Sequence, residues 1–158
     1  MSTKIICLGV ATHDIVMFVD EMPARGGKFR AHAAEMVGGG MAANAAVAVT
    51  RLVSDASFIA RLDDDGISGQ IIRDLKNSNV DCELVCQSPD IRSSFSYVYI
   101  YEDGGRQMVN FRDPELSSST EWPTDALPEF DVILTDPRWP EGALAAMRAA
   151  KEASTRVF

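Results

Sequence analysis

Three consecutive glycines, Gly38-Gly39-Gly40, open a run of strong helix formers, with Asn44 about one turn in. Residues without side chains let backbone come close to a ligand, and a helix starting there turns its partly positive end toward the same place. The Asn44 amide can donate to and accept from hydroxyls. Asp14 lies just past an apolar run, where ligands bind at the carboxyl end of a strand in open α/β sheets. A carboxylate there suits two hydrogen bonds from a diol. That chemistry is polyol recognition. The same residues also fit a plainer pattern of flexible turn, alanine-rich packing helix and turn-capping aspartate. No Gly-Lys-Ser/Thr follows the glycines, which excludes a Walker A loop, and their separation from the first strand fits a dinucleotide fingerprint poorly.

Arg138 follows a buried strand near a sheet edge and, with Lys28 and Asn110, could receive an anionic group such as a phosphate or sulfonate on a sugar. An arginine fork matches tetrahedral anions. Equally, Arg138 could pair with a surface carboxylate such as Asp136 or Glu141. His13 and His32 are too isolated for a catalytic pair or a metal site, and Asp63-Asp64-Asp65 reads as a solvated turn. No metal site is expected. Phe95, Tyr97, Tyr99 and Tyr101 share one face of a strand. Such a stripe faces a sugar, faces a partner, or packs a sheet onto its neighbour.

The chain has 158 residues, a net charge of −8 and 46% apolar residues, the profile of one folded domain or part of one. An acidic surface repels phosphate backbones and anionic lipid, so nucleic-acid and membrane partners are not expected. No apolar run approaches the ~20 residues a membrane helix needs. The three cysteines are odd in number, and Cys82-x-x-x-Cys86 lacks zinc or redox spacing. Reduced thiols in a cytoplasmic protein are expected.

The elements that must position these residues alternate. Residues 4–10 read as a strand buried on both faces, 56–60 as a second, 80–85 as a third and 131–136 as a fourth. Helical spacing marks 41–52, 67–76 and 141–153. Residues 155–158 look like the start of another strand. β-prone pieces at 15–19 and 28–32 around a turn make one hairpin, and 94–101 with 106–112 makes another. A polar loop spans 117–128. The alternation argues for an α/β domain with a parallel sheet, the hairpins pairing as a small separate sheet. Because the chain stops as a strand begins, a fragment is expected.

Gly39-Gly40-Met41-Ala42-Ala43-Asn44-Ala45-Ala46, after a first strand and a β excursion, resembles the first signature of the ribokinase-like (PfkB) carbohydrate kinases. Arg61-Leu62-Asp63-Asp64-Asp65-Gly66 with Gly69 is similar to that family's following Gly-Asp-rich turn, with Asp63 where glycine is usual. The two hairpins match the family's β lid in position. The resemblance implies a ribokinase-like parallel sheet with flanking helices and a lid at about 13–36 and 92–112, truncated after its first half. It implies transfer of the ATP γ-phosphate, with Mg2+, to a sugar hydroxyl held by Asp14, Gly39, Gly40 and Asn44. Val37 to Gly40 and Asp136-Pro137-Arg138-Trp139 are similar to the sulfofructose kinase branch. The family's second signature, Asp-Thr-x-Gly-Ala-Gly-Asp, carries the catalytic base and anion hole beside the nucleotide pocket. It does not occur in these 158 residues. The resemblance therefore implies a substrate-binding half, with no catalytic residue and no ATP or Mg2+ bound by this chain alone. A homodimer through the lid is a further expectation, as is the alternative of a non-catalytic α/β binding or dimerisation module.

Overall fold

The computed structural model describes residues 3–21, 26–52, 55–118, 125–126 and 130–158. Most of the expected 117–128 loop, and part of the turn before residue 26, lie outside them. The apolar run near the start forms β1 (Ile5–Leu8). It pairs in parallel with β4 (Ala56–Ile59) on one side and β9 (Val132–Thr135) on the other. β10 (Arg156–Val157) adds in parallel to β9, giving the order β10-β9-β1-β4. Alternate residues of β1 point to opposite faces, and both faces are covered. Cys7 packs with Phe58 and with Ala42, Ala43 and Ala46 of α1 (Met41–Leu52) and Ile71 and Leu75 of α2 (Gly66–Asn77). Ile6 and Leu8 pack with Ile59, Ile133, Trp139 and the alanines of α3 (Pro140–Ala153). Each fully buried Ile or Leu contributes about 1.5–3 kcal/mol, and that requirement explains why β1 carries no polar alternation. This is the α/β architecture expected from the alternation.

The second sheet runs β3-β2-β7-β8, from β2 (Thr12–Val19), β3 (Ala33–Gly39), β7 (Ser94–Tyr101) and β8 (Arg106–Phe111). β2 pairs antiparallel with β3 and parallel with β7. The first excursion departs from the sequence expectation, since residues 28–32 are not a strand. The partner of β2 is the Ala- and Gly-rich segment ending at Gly39, set by the pairing of Thr12 with Gly39. Residues 80–85 are not a strand either. Asp81 makes one isolated bridge to Ser57, and its carboxylate then accepts the Glu83 N–H at 2.9 Å, turning the chain. Extended pairing resumes in the short β6 (Cys86–Gln87), beside β5 (Arg61–Leu62). On α1 the buried alanines are Ala42, Ala43 and Ala46, whereas Ala48 is exposed.

The acidic run is only partly solvated. Asp65 caps α2, accepting from Ile67 N at 2.7 Å and Ser68 N at 3.2 Å, while Asp64 is exposed. Asp63 is buried and ties the run to the start of the second hairpin. Its Oδ2 accepts the Ser93 N–H at 3.1 Å, its Oδ1 accepts the Ser93 hydroxyl at 3.0 Å, and its own N–H donates to Ser93 Oγ. Burial alone would raise the Asp63 carboxyl, but the bonds from Ser93 and Asp65 outweigh it and hold the group below its usual value. The unfolded chain therefore takes up this proton more readily than the folded one. Stability from Asp63 is present above the unfolded value, about pH 4, and is lost as pH falls through the lower folded value. Urea titrations are expected to show the advantage of wild type over Asp63→Asn shrinking as pH drops below about 4. A constant advantage across that range would contradict the assignment.

None of the three cysteines forms a disulfide. Burial pushes Cys7 up to about 12 and Cys82 up to about 11. Among the described residues no helix is long and apolar enough to cross a membrane.

Candidate functional site

The end of β1, the start of β2 and the β3–α1 joint meet at the carboxyl edge of the parallel sheet. Asp14 sits on the second full row of the β3-β2-β7-β8 sheet, opposite Val37 and Ser96, with Asn110 beyond Ser96. The Thr12 hydroxyl donates to Asp14 Oδ1 at 3.2 Å. The strand partner of Thr12 is Gly39, and a Cβ there would lie 2.6 Å from both Asp14 Oδ2 and Thr12 Oγ1. Gly39 is bare because the aspartate leans across it. Gly40 turns the chain from β3 into α1 at φ +99°, where its Cβ would overlap the Val10 carbonyl. The Asn44 N–H then donates to Gly40 O at 2.9 Å, beginning the helix. The glycine run is thus a strand end followed by one tight joint, rather than a loose loop.

A cleft of about 450 Å³ opens between the two sheets. It brings together Asp14, Gly40, Asn110 and Arg138, four of the residues picked from the sequence, with Thr12, Ser94, Ser96 and Arg112. The Asn110 amide donates to Ser96 Oγ at 3.1 Å and to the Phe95 carbonyl at 3.3 Å, which orients it. Gly39 and Asn44 line a separate hollow of about 260 Å³ instead, between β3, α1 and α2, with Arg51 and Asp74. Thr12 lines both. Lys28 is exposed in the β2–β3 connection and lines neither. The aromatic stripe alternates with Ser94 and Ser96 along β7, so it covers the sheet face turned away from the cleft. His13 is buried at the start of β2, while exposed His32 pairs with Asp20 at 3.3 Å near its other end.

Asp136 overturns the picture of a surface carboxylate pairing with the Arg138 side chain. It is 5% exposed. Its Oδ2 accepts the N–H of Val10 at 2.8 Å and of Ala42 at 3.2 Å, and its Oδ1 accepts the Arg138 backbone N–H at 2.8 Å. Gly9 lacks a side chain where this carboxylate sits. One residue thus ties the end of β1, the first turn of α1 and the β9–α3 loop, each of which lines the cleft. Among the described residues the Arg138 guanidinium makes no ion pair. Thr12, Ser94, Ser96 and Arg112 were not picked out from the sequence, and Asp136 was read only as a surface carboxylate. Arg112 had a signal, because it stands two residues beyond Asn110 and so shares its face.

Chemically, the β3-β2-β7-β8 sheet offers the cleft a carboxylate, hydroxyls and the Arg112 guanidinium, and the β9–α3 loop adds the Arg138 guanidinium, in a chain of net charge −8. Among the described residues no three His, Cys, Asp or Glu side chains cluster closely enough to hold a metal ion.

The sequence and the fold have counterparts. Residues 2–158 match the model of the pfkB family carbohydrate kinases. The chain is 28% identical to the probable fructokinase-5 of Arabidopsis thaliana over 73% of its own length and 38% of the relative. It is 28% identical to the ATP-dependent ribose-1-phosphate kinase of Halopiger xanaduensis, over 98% of its length and 52% of the relative. It thus spans about half or less of these relatives' length. A solved structure of a candidate ribokinase from Agrobacterium tumefaciens superimposes with a TM-score of 0.88 and 31% identity, covering 98% of this chain and 51% of that one. The Arabidopsis thaliana ribokinase complexed with ribose and ATP shares the fold, with a TM-score of 0.83 and 20% identity over 99% of this chain and 52% of that one. With the profile matched from end to end and the fold shared, the chain belongs to the pfkB family of carbohydrate kinases.

Proposed function

We infer that the chain supplies the acceptor-binding part of an enzyme that phosphorylates a hydroxyl of a sugar or sugar derivative with ATP. The observation that carries this reading is the single cleft that joins Asp14 to Arg112 and Arg138. In phosphoryl transfer the protein mostly positions the reacting groups and stabilises charge. Asp14, steadied by Thr12, accepts hydrogen bonds from acceptor hydroxyls and fixes the ring. Arg112 and Arg138 hold an anionic substituent, phosphate or sulfonate, with Asn110 beside them. Asn44 and Gly39 bound the neighbouring hollow and touch the acceptor only when a ligand spans Thr12. Lys28 has no part in this cleft.

ATP with Mg2+ supplies the phosphoryl group in such a reaction. Among the described residues no cluster of side chains would hold the metal ion. The chain alone is expected to bind sugar without turnover. Three cysteines outside any disulfide suit a reducing compartment such as the cytoplasm.

Calorimetric titration of the 158-residue chain with D-fructose, D-ribose and ribose 1-phosphate tests the reading. Asp14→Ala is expected to weaken every sugar that binds by about tenfold or more, since hydrogen bonds to a charged group are worth roughly 1.5–3 kcal/mol. Arg138→Ala is expected to weaken the sugar phosphate selectively. Unchanged affinity in Asp14→Ala would sink the assignment. A second reading, a module that pairs with another copy, is favoured by exposed Met36, Met108 and Val109 on the edge strands β3 and β8. Sedimentation showing a dimer, with no sugar bound, would select it.

A further inference from the structure

Three serines stand between residues 93 and 96, and two are committed within the protein. Ser93 is bonded to Asp63 through both its N–H and its hydroxyl, and Ser96 Oγ accepts from Asn110. Ser94 differs. It is 1% exposed, and its hydroxyl has no hydrogen-bond partner among the described residues. A hydroxyl removed from water without a partner costs free energy, and native chains keep few of them. This one lines the cleft, beside Thr12 in the β2–β7 register and on the same sheet face as Asp14. Asp14 pairs with Ser96, so Ser94 is its diagonal neighbour, at a separation of about 7–8 Å between backbones. One pentose- or hexose-sized ligand reaches both side chains.

We propose that Ser94 is a specificity-determining residue whose buried hydroxyl bonds a second hydroxyl of the polyol that Asp14 holds. The inference rests on the reading of the cleft as a sugar site and adds to it. Asp14 accepts one hydroxyl; Ser94 reads the position of another, deeper in the cleft. A ligand with a hydroxyl there completes the unpaired group. A ligand lacking it leaves Ser94 buried and unpaired, and such sites reject the incomplete analogue strongly.

The inference separates function from stability. A serine serving the fold would lower the melting temperature when truncated. An unpaired buried hydroxyl would not, because its removal relieves a desolvated group. Ser94→Ala is therefore expected to melt at or above the wild-type temperature while binding the preferred sugar of the panel about tenfold more weakly. Among monodeoxy analogues of that sugar, one is expected to bind wild type and Ser94→Ala equally, identifying the hydroxyl concerned. Unchanged affinity of Ser94→Ala for every sugar that binds wild type, with Asp14→Ala still impaired, overturns this inference alone. Lowered melting temperature with unchanged affinity also overturns it. Failure of wild type to bind any of the sugars overturns both this inference and the reading of the cleft.

Discussion

Replacing Asp136 with alanine is expected to destabilise the chain by about 2–4 kcal/mol, since three backbone donors lose their acceptor and a donor left buried without a partner costs roughly 1–3 kcal/mol, one that water reaches less. The donors are the backbone N–H groups of Val10, Ala42 and Arg138, which come from three separate segments. Against a typical total of about 5–15 kcal/mol, that is a large fraction. Urea unfolding should show a lower midpoint at a nearly unchanged slope. Asp136→Asn keeps one carbonyl oxygen, which can still serve Val10 and Ala42. Its amide then faces the Arg138 N–H, so a loss of about 1–2 kcal/mol is expected, together with a loosened cleft wall. A loss under about 1 kcal/mol for the alanine variant would show that water replaces the carboxylate freely and that Asp136 is no organising centre.

The second large effect belongs to Trp139. It is 2% exposed and sits with Ile6, Leu8 and Ile133 under α3, its ring occupying the space where a side chain on Gly142 would be. Truncation to alanine removes the largest fully buried side chain among the described residues and leaves a hole among short alanines that cannot close it. A loss of about 3–5 kcal/mol follows for such changes. For a chain of this length that corresponds to a fall in melting temperature of about 10 °C or more. Trp139 also anchors the loop carrying Arg138, so Trp139→Ala should weaken ribose 1-phosphate binding even at temperatures where the variant remains folded. Trp139 and Asp136 brace the same loop, so the double variant is not expected to show additive losses. Full retention of stability in Trp139→Ala would mean that the second core cluster is not continuous.

Much of this was legible in the residues. β1, β4 and β9 declared themselves as apolar runs because each is covered on both faces, and β7 and β8 by β-prone residues around Gly104-Gly105. α2 was marked by the helical spacing of Ile67, Ile71 and Leu75, while the capping role of Asp65 within the acidic run was not. β3 was not legible. Its Ala, Glu and Gly residues have low strand propensity, and it exists because β2 offers it a register, whereas the more β-prone 28–32 has no partner. The strand expected at 80–85 failed for a local reason, the turn that the Asp81 carboxylate closes. In the cleft, Asp14 and Arg138 were visible as isolated polar residues at strand ends. Asp136 was misread because its partners are backbone groups, two of them far away in sequence, and no side-chain pattern records such donors. Ser94 gave no signal either. One serine among three near-neighbours becomes distinct only when the other two are seen to be bonded.

Only Gly9, Val10 and Ala11 separate β1 from β2, yet the two strands enter different sheets. β1 waits for residues 132–135, and β2 waits for 94–101. As the nascent chain leaves the ribosome, β7 emerges well before β9, so the wall bearing Asp14 can assemble first. Of the residues that line the cleft, Arg138 arrives last, delivered by a strand that must slide in beside β1. During synthesis this protein would therefore hold a half-made binding site, with Asp14 and Arg112 in place and Arg138 missing, until residues 132–138 have emerged.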